Sequence, residues 1–196
     1  MSNQQKPPTE DGIDRRGFLK CMAWAGTGLI WTVTGGIPES QAFGQSAGKA
    51  RGGFTFVQIS DSHIGFSKGA NPNVVGTLNE AITRINALEQ APDLLLHTGD
   101  LSHLAKAEEF DALDQSLKAV KADGKFYVPG EHDMLDDGKE YLLRYGKGTL
   151  GKGWHSFTHR GVHFIGLVNV LDFDSEKLGK IGAEQLAWLE KDLKRL

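Results

Sequence analysis

FTFVQISDSH, Phe54 to His63, decides how the rest of this chain is read. Phe54, Phe56, Val57 and Ile59 are the β-branched and aromatic residues of a strand buried in an α/β sheet, and Ser60 to Gly65 is a polar turn. Asp61 and His63 therefore leave the strand at its carboxyl end, where open α/β sheets bind ligands. One Asp-x-His arises often by chance, so its weight depends on whether other strands end in the same way. Two do. Leu94 to Leu96 runs into HTGD, which carries Asp100, and Phe126 to Val128 runs into PGEHD, which carries Glu131, His132 and Asp133.

The segments between these strands have a helical period. Val75, Leu78, Ile82, Ile85 and Leu88 predict a helix over 74–90, stopped by Pro92 before a strand over 93–97. Phe110, Leu113, Leu117 and Val120 predict a second helix over 107–121, ended by Gly124 before a strand over 125–128. Strand, helix and strand with short links is a crossover unit with parallel strands, so the fold class is α/β. Beyond GEHD, residues 136–145 read as a short helix, 146–153 as a loop, and 154–169 as a hairpin turning at Arg160-Gly161. Leu186, Leu189 and Leu193 mark a last helix over 182–196. A helix closing an α/β pattern normally feeds another strand, so the domain is expected to be incomplete at its C-terminus.

With 196 residues, 39% of them apolar, the chain is one domain with enough material for a core. A net charge of −3 gives no phosphate-tracking surface, so no stable nucleic-acid partner is expected. The single cysteine, Cys21, lies in the leader. Any metal in the remaining domain must be held by oxygen and imidazole.

That leader is polar to Ile13, then reads DRRGFLK (Asp14 to Lys20), then runs apolar from Cys21 to Ile37 diluted by Gly and Thr. It resembles a twin-arginine export signal, with Asp14 where Ser or Thr is usual. Small residues at Ser40-Gln41-Ala42 favour cleavage after Ala42, with Ala47 or Ala50 as the alternatives. The expected organisation is a signal peptide over 1–42, a Gly-rich linker over 43–53 and the α/β domain over 54–196. The implied partner is the twin-arginine machinery, the location periplasmic or secreted, with no membrane attachment after cleavage. A retained anchor is the alternative, but the apolar run is short for a span.

Asp61-Ser62-His63, Gly99-Asp100 and Gly130-Glu131-His132-Asp133, each after a strand and in that order, resemble the calcineurin-like metallophosphoesterases. The resemblance covers residues 54–196 and implies that family's β-sandwich core built from βαβ units. The family's later blocks, a lone His and Gly-His-x-His, are not in this sequence. By resemblance Asp61 and His63 hold one metal, Asp100 bridges to a second, and Glu131 holds the second. His132 is then the general acid or charge stabiliser near the leaving oxygen, with Asp133 orienting its ring. Two divalent ions, Mn, Fe or Zn, are implied, and a small-molecule phosphodiester or phosphomonoester as substrate.

Glu131 stands where the family usually has Asn, which adds a methylene and a charge. His103 sits where purple acid phosphatases place a tyrosine ligand, and reads either as a metal ligand or as a surface or outer contact. His97 reads as a packed core histidine. His155, His159 and His163, spaced by multiples of two, read as one face of the hairpin surface, and Asn71, Asn73 and Asn169 as turn residues. Three functions remain open at this point: a metal-dependent phosphoesterase, an inactive fragment or metal-binding pseudoenzyme, and a nuclease of the same fold, which the missing basic patch disfavours.

Overall fold

A computed structural model describes residues 29–42, 53–149, 151–170 and 179–196. The paired arginines and Cys21 lie outside the described residues, as does most of the expected linker. The sheet has five strands in the order β2-β1-β3-β4-β5. They are β1 (Leu29–Thr34), β2 (Ile37–Ala42), β3 (Phe54–Ile59), β4 (Leu94–His97) and β5 (Gly124–Tyr127). The helices are α1 (Val74–Asn86), α2 (Ala107–Leu117), α3 (Lys139–Tyr145) and α4 (Ala183–Leu193), and β6 (His155–His159) pairs with β7 (Val162–Gly166) as a separate hairpin. Among the described residues no helix is long and apolar enough to cross a membrane.

The two expected crossovers are present: β3, α1, β4 and then α2, β5, with β3, β4 and β5 parallel. Their register positions the site. Ile59 pairs with His97, and His97 with Tyr127, so the three strands end level and their following loops lie side by side. Asn73 caps α1 by accepting from the Gly76 amide at 2.9 Å. The helix ends at Asn86, short of the Gln90 that the apolar pattern reaches, although Leu88 still packs against the core. The expected helix over 136–145 is present from Lys139 as α3, and a separate 3₁₀ turn, His132–Met134, precedes it.

Strand β3 is apolar on both faces because both are covered. Val57 and Ile59 join Leu78, Ile82, Ile85, Leu95, Phe110 and Leu113 under the helices. Phe54 and Phe56 point the other way, into an aromatic seam with Phe126, Phe157 and Phe164. Phe126 and Phe157 stack at 3.6 Å between centroids, and Phe164 meets Phe56 edge-on at 5.4 Å. Each such ring contributes roughly 1.5–3 kcal/mol by burial. The result is helices on one face of the five-stranded sheet and the β6–β7 hairpin on the other.

The hairpin turns at Arg160-Gly161, as the sequence indicates, and Arg160 ties it to the base of β4 through Asp93 at 2.9 Å. The histidines do not share one face. His163 pairs across the hairpin with Thr158, whereas His155 and His159 alternate with Thr158, because the two-residue turn resets the parity. His155 stacks toward Phe126 and His159 meets Phe54 edge-on, both inside the seam. On the opposite face, His163 reaches Asp192 of α4 at 2.7 Å, where Ser156 also donates at 2.8 Å.

Leu29–Ala42, the apolar end of the expected leader, forms β1 and β2. Strand β1 pairs antiparallel with β3, Ile30 and Val33 are buried, and Trp31 stacks on Phe56 at 5.7 Å. Gly35 and Gly36, at φ 60 and 82, supply the two-residue turn between them.

Candidate metal centre

Three loops converge at the level ends of β3, β4 and β5, and backbone hydrogen bonds lace them together. The Asp61 amide donates to Gly99 O at 2.9 Å, His63 to Asp100 O at 2.9 Å, and Ile64 to Leu101 O at 3.0 Å. The first two loops therefore extend the sheet a few residues past the strands. Asp61, His63 and Asp100 all have positive φ, at 57, 41 and 47. Each such residue costs on the order of 1–3 kcal/mol, which clusters where a site demands it.

Close backbone approach is built in by glycine. Gly99 has φ 121, and a Cβ on Gly130 would fall 2.1 Å from Asp100 Oδ1 and 2.3 Å from Asp100 N. The His132 amide, two residues on, donates to Asp100 Oδ1 at 3.0 Å and leaves Oδ2 pointing toward His63 Nε2 at 3.6 Å.

Two overlapping groups of donor atoms result. Asp61, His63 and Asp100 form one, and His63, His103 and His132 the other, with the ligand atoms of each group within 4.8 Å of one another. Burial, with His132 and His103 nearby, pushes the His63 imidazole down to about 3, so it is neutral near pH 7, the form that ligates a metal. Burial also lowers His103, and it pushes Asp100 up to about 7 against the pull of the His132 amide. Among the described residues His103 Nδ1 is buried without a hydrogen-bond partner. Clustered imidazoles around carboxylates, one of them reluctant to ionise without a compensating cation, suit divalent ions bound by N and O ligands.

His132 is held in one tautomer. Its Nδ1–H donates to the His103 carbonyl at 2.6 Å, and its ring stacks on His103 at 4.8 Å. Nε2 is then the atom at which this ring offers a lone pair or exchanges a proton.

The expected ligands Asp61, His63, Asp100 and His103 come together, and His132 joins them. Glu131 does not: its side chain is exposed and belongs to neither group. Asp133 is present but does not orient His132. Its carboxylate, fully buried, accepts from Leu101 N at 3.0 Å, Ser102 N at 2.8 Å, Ser102 Oγ at 2.8 Å and Gly130 N at 2.9 Å. It staples the loop after β4 to the loop after β5. His97 is the packed histidine expected, 1% exposed, with Nε2 at 2.9 Å from Ser62 Oγ. Ser62 in turn donates to Leu101 O at 3.0 Å.

Sequence reasoning missed Glu109 and the His103 carbonyl. The carbonyl leaves no mark in a sequence. Glu109 does, since it lies one turn before Leu113 on the apolar stripe of α2, where a carboxylate needs a buried partner.

Residues 54–191 match the calcineurin-like phosphoesterase family, and the chain belongs to it. It is 30% identical over 149 residues to a probable glycerophosphodiester phosphodiesterase of Arcobacter nitrofigilis, covering 71% of this chain and 51% of that protein. Over 145 residues it is 29% identical to a 3′,5′-cyclic-nucleotide phosphodiesterase of Nostoc, covering 72% of this chain and 52% of the relative. A probable cyclic nucleotide phosphodiesterase of Vesicomyosocius okutanii is 35% identical over 104 residues, 50% of this chain and 42% of that one. The chain thus spans about half the length of these relatives. Among solved structures, a purple acid phosphatase from yellow lupin superposes with TM-score 0.49 at 14% identity, over 74% of this chain and 30% of that one.

Proposed function

We propose that this chain carries the metal-binding half of a phosphodiesterase that uses two divalent ions. The observation that carries the reading is the convergence of Asp61, His63, Asp100, His103 and His132 from three separate loops onto donor atoms within 4.8 Å of one another in each group. By resemblance to the family Asp100 would be the shared carboxylate of the two ions; its Oδ1 accepts from the His132 amide and its Oδ2 faces His63 Nε2. Ions bound there would shield phosphoryl oxygens and acidify a water. The chain's own contribution is orientation. The laced loops fix the donors, and His132, tethered through Nδ1, works only through Nε2, as a ligand or as the acid that protonates the departing oxygen. Oxygen and imidazole donors suit Mn, Fe or Zn. The similarity to a probable glycerophosphodiester phosphodiesterase and a cyclic-nucleotide phosphodiesterase supports small phosphodiesters as the substrate class.

The test is Asp100→Ala against His132→Ala, assayed with Mn²⁺ on bis(p-nitrophenyl) phosphate and on the monoester. Asp100→Ala is expected to lose bound metal and hydrolysis together. Full activity in that variant would sink the two-metal reading, and metal binding by the parent chain without turnover would favour the pseudoenzyme.

We also propose that the Arg15-Arg16 leader directs export to the periplasm through the twin-arginine pathway, supported by the DRRGFLK pattern. Processing after Ala42 would take β1 and β2 away and leave β3 an edge strand. Changing both arginines to lysine in a fusion to a periplasm-dependent reporter should abolish the signal, and an unchanged signal would remove the proposal.

A further inference from the structure

Glu109, in the first turn of α2, is 6% exposed, and its charge is neutralised by no ion pair among the described residues. Its Oε2 accepts from Leu104 N at 2.7 Å, His103 N at 3.2 Å and Lys106 N at 3.4 Å. Only the last and longest of these is the reciprocal half of a helix cap. The two shorter bonds go to the loop after Asp100, outside the helix. Its other oxygen lies against the loop after His63, where a Cβ on Gly65 would stand 2.2 Å from Oε1. The carboxylate is wedged between two of the three loops that carry the donor cluster.

The residue it grips is the one that orients His132. His103 donates its amide to Glu109, presents its carbonyl to His132 Nδ1 at 2.6 Å, and lays its ring along the His132 ring. Two residues on, Ala105 has φ 53 without being glycine, so this loop is held in a shape it would not adopt alone.

We propose that Glu109 is a positioning residue of the metal centre: gripping the 103–106 backbone, it holds the His103 carbonyl where it fixes His132 in the Nδ1–H form and aims Nε2 into the cluster. The inference rests on the metal-centre reading above. Residues that orient a ligand from behind in this way are typically worth 10–100-fold in metal affinity. Oε2 alone accepts all three bonds, so an amide oxygen in the same place can replace it.

The experiment titrates Mn²⁺ into the full chain by calorimetry and reads the His132 tautomer from ring ¹⁵N shifts. Glu109→Ala is expected to bind Mn²⁺ about ten- to a hundredfold more weakly and to lose the single Nδ1–H signature. Glu109→Gln should retain both. Should Glu109→Ala not fold, Glu109→Asp serves, since it keeps the charge but withdraws the oxygen by a methylene, and it should shift both readouts in the same direction. Leu113→Ala, in the core of the same helix, should lower stability and leave both readouts alone. Parental affinity and tautomer in folded Glu109→Ala or Glu109→Asp would overturn the proposal, as would an equal loss in Leu113→Ala. Failure of the parent chain to bind Mn²⁺ would instead overturn the metal-centre reading itself.

Discussion

Replacing Asp133 with asparagine isolates what its carboxylate does, because the change is isosteric and the site has only donors. Oδ1 faces Ser102 N and Oγ, and Oδ2 faces Leu101 N and Gly130 N. An asparagine keeps one oxygen, which satisfies one pair, and sets its NH₂ against the other pair. Flipping the amide only exchanges the pairs. Two buried donors are left without an acceptor either way, at about 1–3 kcal/mol each, so the variant should lose about 2–6 kcal/mol. That is a large part of the ~5–15 kcal/mol by which domains are stable. Ser102 Oγ can rotate away, which puts the expected value in the lower half of the range when the NH₂ faces that pair. At about 2–4 °C per kcal/mol for a chain of this size, a 3 kcal/mol loss lowers Tm by about 6–12 °C. Urea unfolding of the two chains, each in EDTA, measures it directly. A loss below about 1 kcal/mol with unchanged cooperativity would refute the stapling argument.

Gly130→Ala drives a methyl group into Asp100 N and Oδ1, and because one of these is backbone no rotamer relieves the clash; Mn²⁺ affinity should fall at least about tenfold by calorimetry. Glu131→Gln should change Mn²⁺ affinity by less than about threefold, since this exposed side chain reaches neither donor group, and a tenfold loss would restore it as a ligand. For the metal-free chain, His63 and His97 sit near 3 when folded against an ordinary 6.5, so their contribution is full above 6.5 and lost as pH falls toward 3. Asp100, raised from 3.8 to about 7, works the other way, favouring the fold below 3.8 and losing that contribution as pH rises to 7. The lowered His103 adds to the rise and the raised Asp133 to the fall, three groups against two, so stability should rise with pH between about pH 4 and 6.5, read by urea titration across pH. Saturating Mn²⁺ at a hundred times its Kd should add about 2.7 kcal/mol above pH 7 and less below it, where Asp100 holds a proton.

What was legible in the sequence is what side chains announce. The strand that ends in Asp61 and His63, the two βαβ crossovers and the Arg160-Gly161 turn all carry period or turn chemistry that physical rules read directly. Helix ends and partners are less visible. The apolar rhythm over 74–90 continues past the helix because Leu88 packs on the core from a turn. His163 was placed with His155 and His159 by counting in twos, which fails across a two-residue turn. In the leader, Ile30, Thr32, Val33 and Thr34 before Gly35-Gly36 satisfy a hairpin pattern as well as an apolar one, and the structure uses the former. Asp133 and Glu109 are the harder cases. Both act on backbone amides, which are the same at every position, so only the oddity of a carboxylate at a buried place betrays them.

Those two carboxylates also explain how the site tolerates its own geometry. Asp61, His63, Asp100 and Ala105 all hold a left-handed backbone, and their strain together amounts to roughly 4–12 kcal/mol if each costs 1–3. Such a sum approaches the stability of a whole domain, so it must be offset locally or the loops would relax. Asp133 fastens residues 101 and 102 immediately after Asp100, and Glu109 fastens 103, 104 and 106 around Ala105. Between them they hold five of the six residues that follow Asp100, from two different elements. Seven charge-assisted bonds at about 1.5–3 kcal/mol each are of the right order to hold that strain, after allowance for desolvating two carboxylates. Removing either should therefore release the donor cluster before it unfolds the sheet, so that metal affinity fails at a lower urea concentration than the far-ultraviolet signal of β3 to β5.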